Sequence, residues 1–171
     1  MTDFNRVFHL VNGQIEGGGK VHDRGADDPG GVTNWGFAQR YNTDIDVRTL
    51  DEWSARSRAF ARYWKPMGCE DYSEGKALVV YDCAFQHGTS TAKFWLQQSV
   101  GVKRDGVIGP VTIKTVQTMD IGDLIISLHR LRRIRYLGRN DRVEEVNEGG
   151  WIDRIMRIAV EAMRIDLTWQ R

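Results

Sequence analysis

The sequence predicts a mainly α protein of the α+β kind, a helical two-lobed domain with a small loop or hairpin region after its first helix. Three observations carry this. Apolar residues recur at helical spacing through most of the chain. Glycine or proline stands at the end of most of these runs. One long stretch, residues 17–48, is rich in Gly, Asp and Asn and has no helical period, so it reads as loop and short hairpin.

The opening helix rests on Phe4, Val7, Phe8, Val11 and Ile15, with Thr2 or Asp3 as N-cap and Gly17, Gly18 and Gly19 as its stop. Glu16 therefore falls in the last turn, where the negative end of the helix dipole opposes a second negative charge. Thr49 and Glu52 form a capping-box pattern for a second helix. Trp53, Phe60 and Trp64 mark its apolar positions before Pro66 ends it. Leu78, Tyr81 and Phe85 mark a third helix closed by Gly88, and Ala92, Trp95, Leu96 and Val100 a fourth closed by Gly101. The tripeptide Gln86-His87-Gly88 makes a polar corner between them. Asp105-Gly106-Val107-Ile108-Gly109-Pro110 has the residues of consecutive turns and leads into a short helix from Val111 to Thr118. Leu124, Leu128 and Leu131 then define a helix ending at Gly138. Trp151, Ile155, Ile158, Ala162, Ile165 and Trp169 keep a 3.6-residue period in the last one.

The chain has 171 residues, 27% of them charged and 41% hydrophobic, a balance that excludes intrinsic disorder and fibrous repeats. Its apolar runs, such as Ala77 to Tyr81, are far shorter than the roughly 18 residues a membrane span needs, so no stable membrane insertion is expected. The opening MTDFNRVFHLVNG has neither a basic nor a continuous apolar segment, which predicts synthesis in the cytoplasm without a signal peptide. Cys69 and Cys83 lack metal-site spacing and are expected to be buried free thiols.

The net charge is +1, with −3 in residues 1–85 and +4 in residues 86–171. The basic residues centre on Arg130, Arg132, Arg133, Arg135, Arg139 and Arg142, which read as a solvated helix face, with attraction of a polyanion such as nucleic acid or anionic cell wall as the alternative. His22, Asp23, Asp27 and Asp28 lack the spacing of a calcium loop, and no zinc motif occurs, so neither metal nor cofactor is expected.

The chemistry concentrates in Glu16-Gly17-Gly18 and in Asp27-Asp28-Pro29-Gly30-Gly31-Val32-Thr33-Asn34-Trp35-Gly36. Glycosidic cleavage needs a protonated acid at the leaving oxygen. Inversion adds a base that holds water across the sugar, about 6.5–9.5 Å away. A carboxyl at a helix end, a loop carboxylate and a hydroxyl supply that set, although Asp-Pro-Gly-Gly is also good turn chemistry.

These motifs resemble the glycoside hydrolase family 108 muramidases, found among phage endolysins and secretion-activator proteins. Asp82-Cys83-Ala84-Phe85-Gln86-His87-Gly88 is similar to the family's D-x-A-x-N-x-G helix end, with Gln86 in place of Asn. Gly149-Gly150-Trp151-Ile152-Asp153-Arg154 resembles its closing segment. Leu96-Gln97 through Gly101-Val102, then Asp105 through Thr112, look like a peptidoglycan-binding lobe.

The resemblance implies a lysozyme-like fold, with a catalytic region over residues 1–88 and a peptidoglycan-binding-like lobe over 89–171. It implies an N-acetylmuramidase acting on bacterial peptidoglycan, with a lytic transglycosylase and a non-catalytic wall-binding module as the alternatives. Glu16 takes the catalytic role, with Asp28 and Thr33 positioning water. The loop before Asp-Pro-Gly-Gly is longer than usual, so Asp27 or Asp23 could stand in for Asp28. Trp35, Tyr41, Gln86 and His87 become substrate-contact candidates. A monomeric phage endolysin released to the periplasm with a holin is the setting implied, and an exported bacterial effector would look the same.

Overall fold

A computed structural model describes residues 2–23, 31–137 and 142–169. By compactness the chain divides into a unit of Asp3–Ala61 and a unit of Arg62–Arg171 with Met1–Thr2.

In the unit of Asp3–Ala61, α1 (Phe4–Phe8) begins at Asp3, whose carboxylate accepts from the N–H groups of Asn5 at 2.9 Å and Arg6 at 3.4 Å. The helix buries Val7 and Phe8 and then changes winding. His9–Ile15 form a π-helical segment, in which each N–H reaches back five residues rather than four. Gly13 leaves room for the His9 ring within it, since a methyl there would lie 3.2 Å from His9 Nδ1.

β1 (Thr33–Asn34) and β2 (Phe37–Ala38) are the expected hairpin, antiparallel with Thr33 opposite Ala38 and Asn34 opposite Phe37. The two-residue turn is Trp35-Gly36, at φ 53° and 78°, the positive values that a type I′ turn demands at both positions. A non-glycine residue there is uncommon. The strand Thr33 extends its pairing to His22, with N–H to carbonyl bonds of 2.8 Å in both directions.

Short 3₁₀ turns follow at Gln39–Tyr41 and Val47–Thr49. The buried Asn34 amide ties the hairpin to the second turn by donating to the carbonyls of Val47 and Leu50 at 2.9 and 3.0 Å. α2 (Glu52–Ala59) is capped by Asp51, which accepts from Ser54 N–H at 2.7 Å. The capping box expected of Thr49 does not form, because Asp51 stands immediately before the helix while the Thr49 hydroxyl donates to Asp46 O. The helix buries its small face, Ala55 and Ala59, and leaves Trp53 68% exposed; in the π-helical segment Phe60–Trp64 that follows, Phe60 is 37% exposed and Trp64 is buried, so of the three expected aromatics Trp64 alone is a core residue.

In the unit that starts at Arg62, Pro66 falls in a 3₁₀ turn, Lys65–Met67, that closes at Gly68 with φ 66°. α3 (Glu74–His87) is buried at each residue from Glu74 to Ala84 and is the centre of its unit, ending at Gly88 with φ 80°. α4 (Thr89–Ser99), α6 (Ile121–Leu137) and α7 (Arg142–Trp169) pack on it. Trp64, Met67, Leu78, Tyr81, Leu96, Leu124, Leu128 and Ile158 fill this core. The unit that begins at Arg62 takes in α3, because α3 is covered by helices that come later in the chain. The Gly138 stop expected for α6 lies outside the described residues.

α5 (Pro110–Thr118) follows a turn segment held by one buried amide. Gln97 donates to Asp105 Oδ1 at 2.7 Å and Val107 O at 3.0 Å while accepting from Gly106 N–H at 2.8 Å. This is the physical content of the Gln and Asp-Gly positions in the lobe motif. Cys69 and Cys83 are buried free thiols, with burial pushing Cys83 up to about 12 and Cys69 well above its ordinary range.

Arg132 corrects the reading of a wholly solvated basic face. Its side chain has no exposure and its Nη1 stands 2.7 Å from Asp82 Oδ2, whereas Arg130, Arg133 and Arg135 are exposed. Arg139 and the Arg142 side chain lie outside the described residues.

Candidate active site

Glu16 closes the π-helical segment, its N–H bonded to Val11 O at 3.0 Å. Its side chain is half-buried. The glycines after it turn the chain sharply: Gly17 and Gly18 have φ of 83° and 63°, and Gly18 N–H returns to Asn12 O at 2.9 Å. A side chain at either position would be strained.

The glycine loop lies on the hairpin turn. Trp35 N–H donates to Gly18 O at 3.0 Å, and the buried Asn12 amide donates to Trp35 O at 2.8 Å. A methyl on Gly19 would stand 3.2 Å from the Trp35 indole nitrogen, and the other side of the indole stacks on Phe8 at 5.7 Å and 25°. Trp35 is therefore a half-buried wall between the first helix and the loop. The left-handed backbone of Trp35 is held by these contacts on both sides.

Thr33 sits on β1 with its hydroxyl 3.4 Å from Gly31 O. Its backbone partner His22 turns its ring toward Gly17, with Nε2 3.3 Å from where a Cβ on Gly17 would stand. Glu16, His22, Thr33 and Trp35 thus belong to one loop system. His22 is exposed, and its pairing with Thr33 has no signal in the spacing of the residues.

Asp28 and Asp27 lie outside the described residues. Asp23 is exposed and meets Arg48 Nη2 at 3.5 Å. Tyr41 is 70% exposed on its 3₁₀ turn, with the Arg40 guanidinium 6.0 Å from its ring centre, so it is not a core residue.

The other two candidates belong to the second unit. Gln86 and His87 end α3 and meet the Tyr136 hydroxyl at 2.8 and 3.2 Å. Below them Asp82 is fully buried between two guanidiniums, Arg132 at 2.7 Å and Arg154 at 2.7 Å. Burial opposes its charge, but Arg154 and Arg132 prevail and hold the carboxyl below the usual range. Burial, seconded by Arg132, lowers His87 to about 3 and His129 to about 4. Both rings are neutral near pH 7. Among the described residues no three His, Cys, Asp or Glu side chains gather as a metal site, and no helix is long and apolar enough to cross a membrane.

A carboxyl at a helix end is thus followed by a glycine loop packed on an aromatic wall and by a hydroxyl-bearing strand. Residues 13–88 match the family model Glycosyl hydrolase 108. The matched span holds Glu16, Thr33, Trp35, Tyr41, Gln86 and His87. Among solved structures, SagA of Brucella abortus is similar with a TM-score of 0.81 and 26% identity, over 95% of this chain and 94% of that one. The mainly α, lysozyme-like fold is therefore shared along nearly the whole length. No curated protein sequence matches the chain.

Proposed function

We propose that the protein is a peptidoglycan hydrolase, an N-acetylmuramidase that cleaves the β-1,4 bond between N-acetylmuramic acid and N-acetylglucosamine. The observation that carries this reading is Glu16, set by a π-helical turn at the mouth of a glycine loop that is folded onto Trp35 and stands in the same loop system as Thr33. The family match over residues 13–88 supports it.

In this mechanism Glu16, in its protonated form, gives its proton to the glycosidic oxygen as the bond to the anomeric carbon breaks. Water held by Asp28 and the Thr33 hydroxyl attacks that carbon from the opposite face. The water's proton passes to Asp28, and the product keeps a reducing end. The glycines matter because they let the backbone turn sharply beside Glu16 and pack closely on Trp35. Trp35 and Tyr41 offer faces against which sugar rings stack. Gln86 and His87, in the other unit, are substrate-contact candidates in their own right.

The cellular setting proposed is that of a monomeric phage endolysin. It would be made in the bacterial cytoplasm, pass to the periplasm with the help of a holin, and lyse the host there.

Muropeptide release from purified Gram-negative sacculi, followed by borohydride reduction and mass spectrometry, tests the reaction. Wild type should release reducible muramic-acid ends, and Glu16→Gln should lose about 10²–10⁴-fold of that rate while keeping its fold, because an amide cannot supply the proton. Anhydro ends would make it a transglycosylase. Full activity in folded Glu16→Gln would remove Glu16 from the chemistry, and wall binding without release would leave a binding module.

A further inference from the structure

Arg132, Gln86, Tyr136 and His87 form a hydrogen-bonded chain whose polarity is fixed from one end. A guanidinium only donates, so the Gln86 atom that Arg132 Nη2 meets at 3.3 Å is Oε1. The Tyr136 hydroxyl gives its single proton to the same Oε1 at 2.8 Å. With that proton committed, the phenol oxygen can only accept from His87 Nε2, 3.2 Å away. The imidazole is neutral, so its other nitrogen, Nδ1, is left as a bare acceptor.

Two directed groups remain. Gln86 Nε2 is a donor and His87 Nδ1 an acceptor. Neither has a partner among the described residues, and neither is sealed from solvent. They hang from neighbouring residues anchored on one hydroxyl. Trp95 lies 4.9 Å from the His87 ring, and Trp151 stacks on Tyr136 at 4.8 Å and 20°. Beside them Gly88 faces open space, with nothing within 4 Å of the place a Cβ would take.

A secondary amide carries the matching pair, a carbonyl that accepts and an N–H that donates. We propose that Gln86 and His87 form an amide-reading subsite in which Gln86 Nε2 donates to the carbonyl and His87 Nδ1 accepts the N–H of an acetamido group on an amino sugar. The choice of a sugar acetamide rests on the peptidoglycan reading above. The flanking rings of Trp95 and Trp151 suit the apolar face of a pyranose and the acetyl methyl. The inner residues Arg132 and Tyr136 are positioning residues: they set which way the amide and the ring present their atoms.

The test is binding of tri-N-acetylchitotriose to the whole chain, followed by tryptophan fluorescence and by the ¹⁵N resonances of the His87 ring. The fully deacetylated glucosamine trimer and an N-acetylated tripeptide serve as comparison ligands. The acetylated sugar should bind and shift Nδ1 as an accepting nitrogen, and the deacetylated one should bind at least about tenfold more weakly, as expected for lost directed hydrogen bonds. His87→Phe keeps the ring stacking and Gln86→Glu keeps the contact with Arg132. Each should cost about tenfold in affinity for the acetylated trimer while unfolding like wild type. Equal binding of the two trimers, binding of neither, unchanged affinity in folded His87→Phe, or preference for the tripeptide would each overturn the subsite. Failure here is distinct from failure of the hydrolase reading. If release from sacculi depends on Glu16 but acetyl selectivity is absent, the subsite falls alone. If selective binding is present and wild type releases nothing, the hydrolase reading falls and the subsite stands.

Discussion

The Arg132 guanidinium and the Asp82 carboxylate meet at 2.7 Å with neither side chain exposed, joining α6 to the middle of α3. Arg154 of α7 brings a second guanidinium to the other carboxylate oxygen, with its Nε 2.8 Å from Oδ1. One buried negative charge thus holds two helices to a third. Removing one member leaves the others buried without compensation, which costs about 3–5 kcal/mol. Asp82→Asn should therefore lower the unfolding free energy by several kcal/mol in urea titrations. The pair also has a pH signature. The folded-state pKa of Asp82 lies below its unfolded value, so its contribution is present above the unfolded carboxylate range and is lost as pH falls through the folded value. The loss of stability below about pH 4 should be shallower in Asp82→Asn than in wild type.

The buried histidines act at milder acidity. His87 and His129 are lowered to about 3 and about 4, while an unfolded histidine titrates near 6.5. Between these limits the unfolded chain binds protons that the folded chain refuses, so stability falls as pH drops from about 6.5 toward 4, by on the order of 1 kcal/mol per unit for each ring. His129→Phe keeps the bulk and removes one titration. Its stability should fall less steeply over that range, as measured by denaturant unfolding at stepped pH, and an unchanged slope would show that His129 is not held neutral.

Gly75 is a point of close approach between α3 and α7. A methyl there would run into the Ala162 carbonyl oxygen and lie 2.7 Å from Asp166 Oδ1 and 2.8 Å from Ile121 Cδ1. Asp166 also accepts from Gly75 N–H and from the Ser73 hydroxyl, both at 3.2 Å, and so serves as the N-terminal cap that Ser73 does not provide within its own helix. Gly75→Ala should cost about 1–3 kcal/mol through overpacking, despite alanine's better helix propensity. A gain in thermal midpoint would contradict the close approach.

Asn12 joins the π-helical segment to both halves of the Glu16 loop, through its side chain to Trp35 O and its carbonyl to Gly18 N–H. Asn12→Ala should lower stability by about 1–3 kcal/mol, because the Trp35 carbonyl loses its buried donor. It should also reduce peptidoglycan turnover at a temperature where the variant remains folded. Normal turnover in the folded variant would mean that the loop holds its shape without Asn12.

Much of this fold is written in short-range signals. The Asp3 cap, the glycine stops after α3 and α4 and the Pro110 start of α5 each depend on a few adjacent residues, and each is legible in the sequence. What escapes is set across the chain. Arg132 reads as one more surface arginine until Asp82, fifty positions earlier, is brought against it. The cap from Asp166 comes from 91 residues away. Of the candidate site, Glu16 and its glycines stand out in the sequence. The position of His22 beside Gly17 depends on backbone pairing with Thr33 that no side-chain pattern announces. The misplaced capping box has a local cause, since Asp51 competes for the same role from a better position.

The π-helical winding of His9–Ile15 has a consequence for the aim of Glu16. An α-helix advances about 100° per residue, and a chain bonded five residues back advances less, so the same seven residues wound either way deliver the next side chain to different compass points around the axis. The heading of the carboxylate is therefore a property of the turns beneath it. Shortening that segment by one residue would swing Glu16 away from the glycine loop with every catalytic residue still present in the sequence.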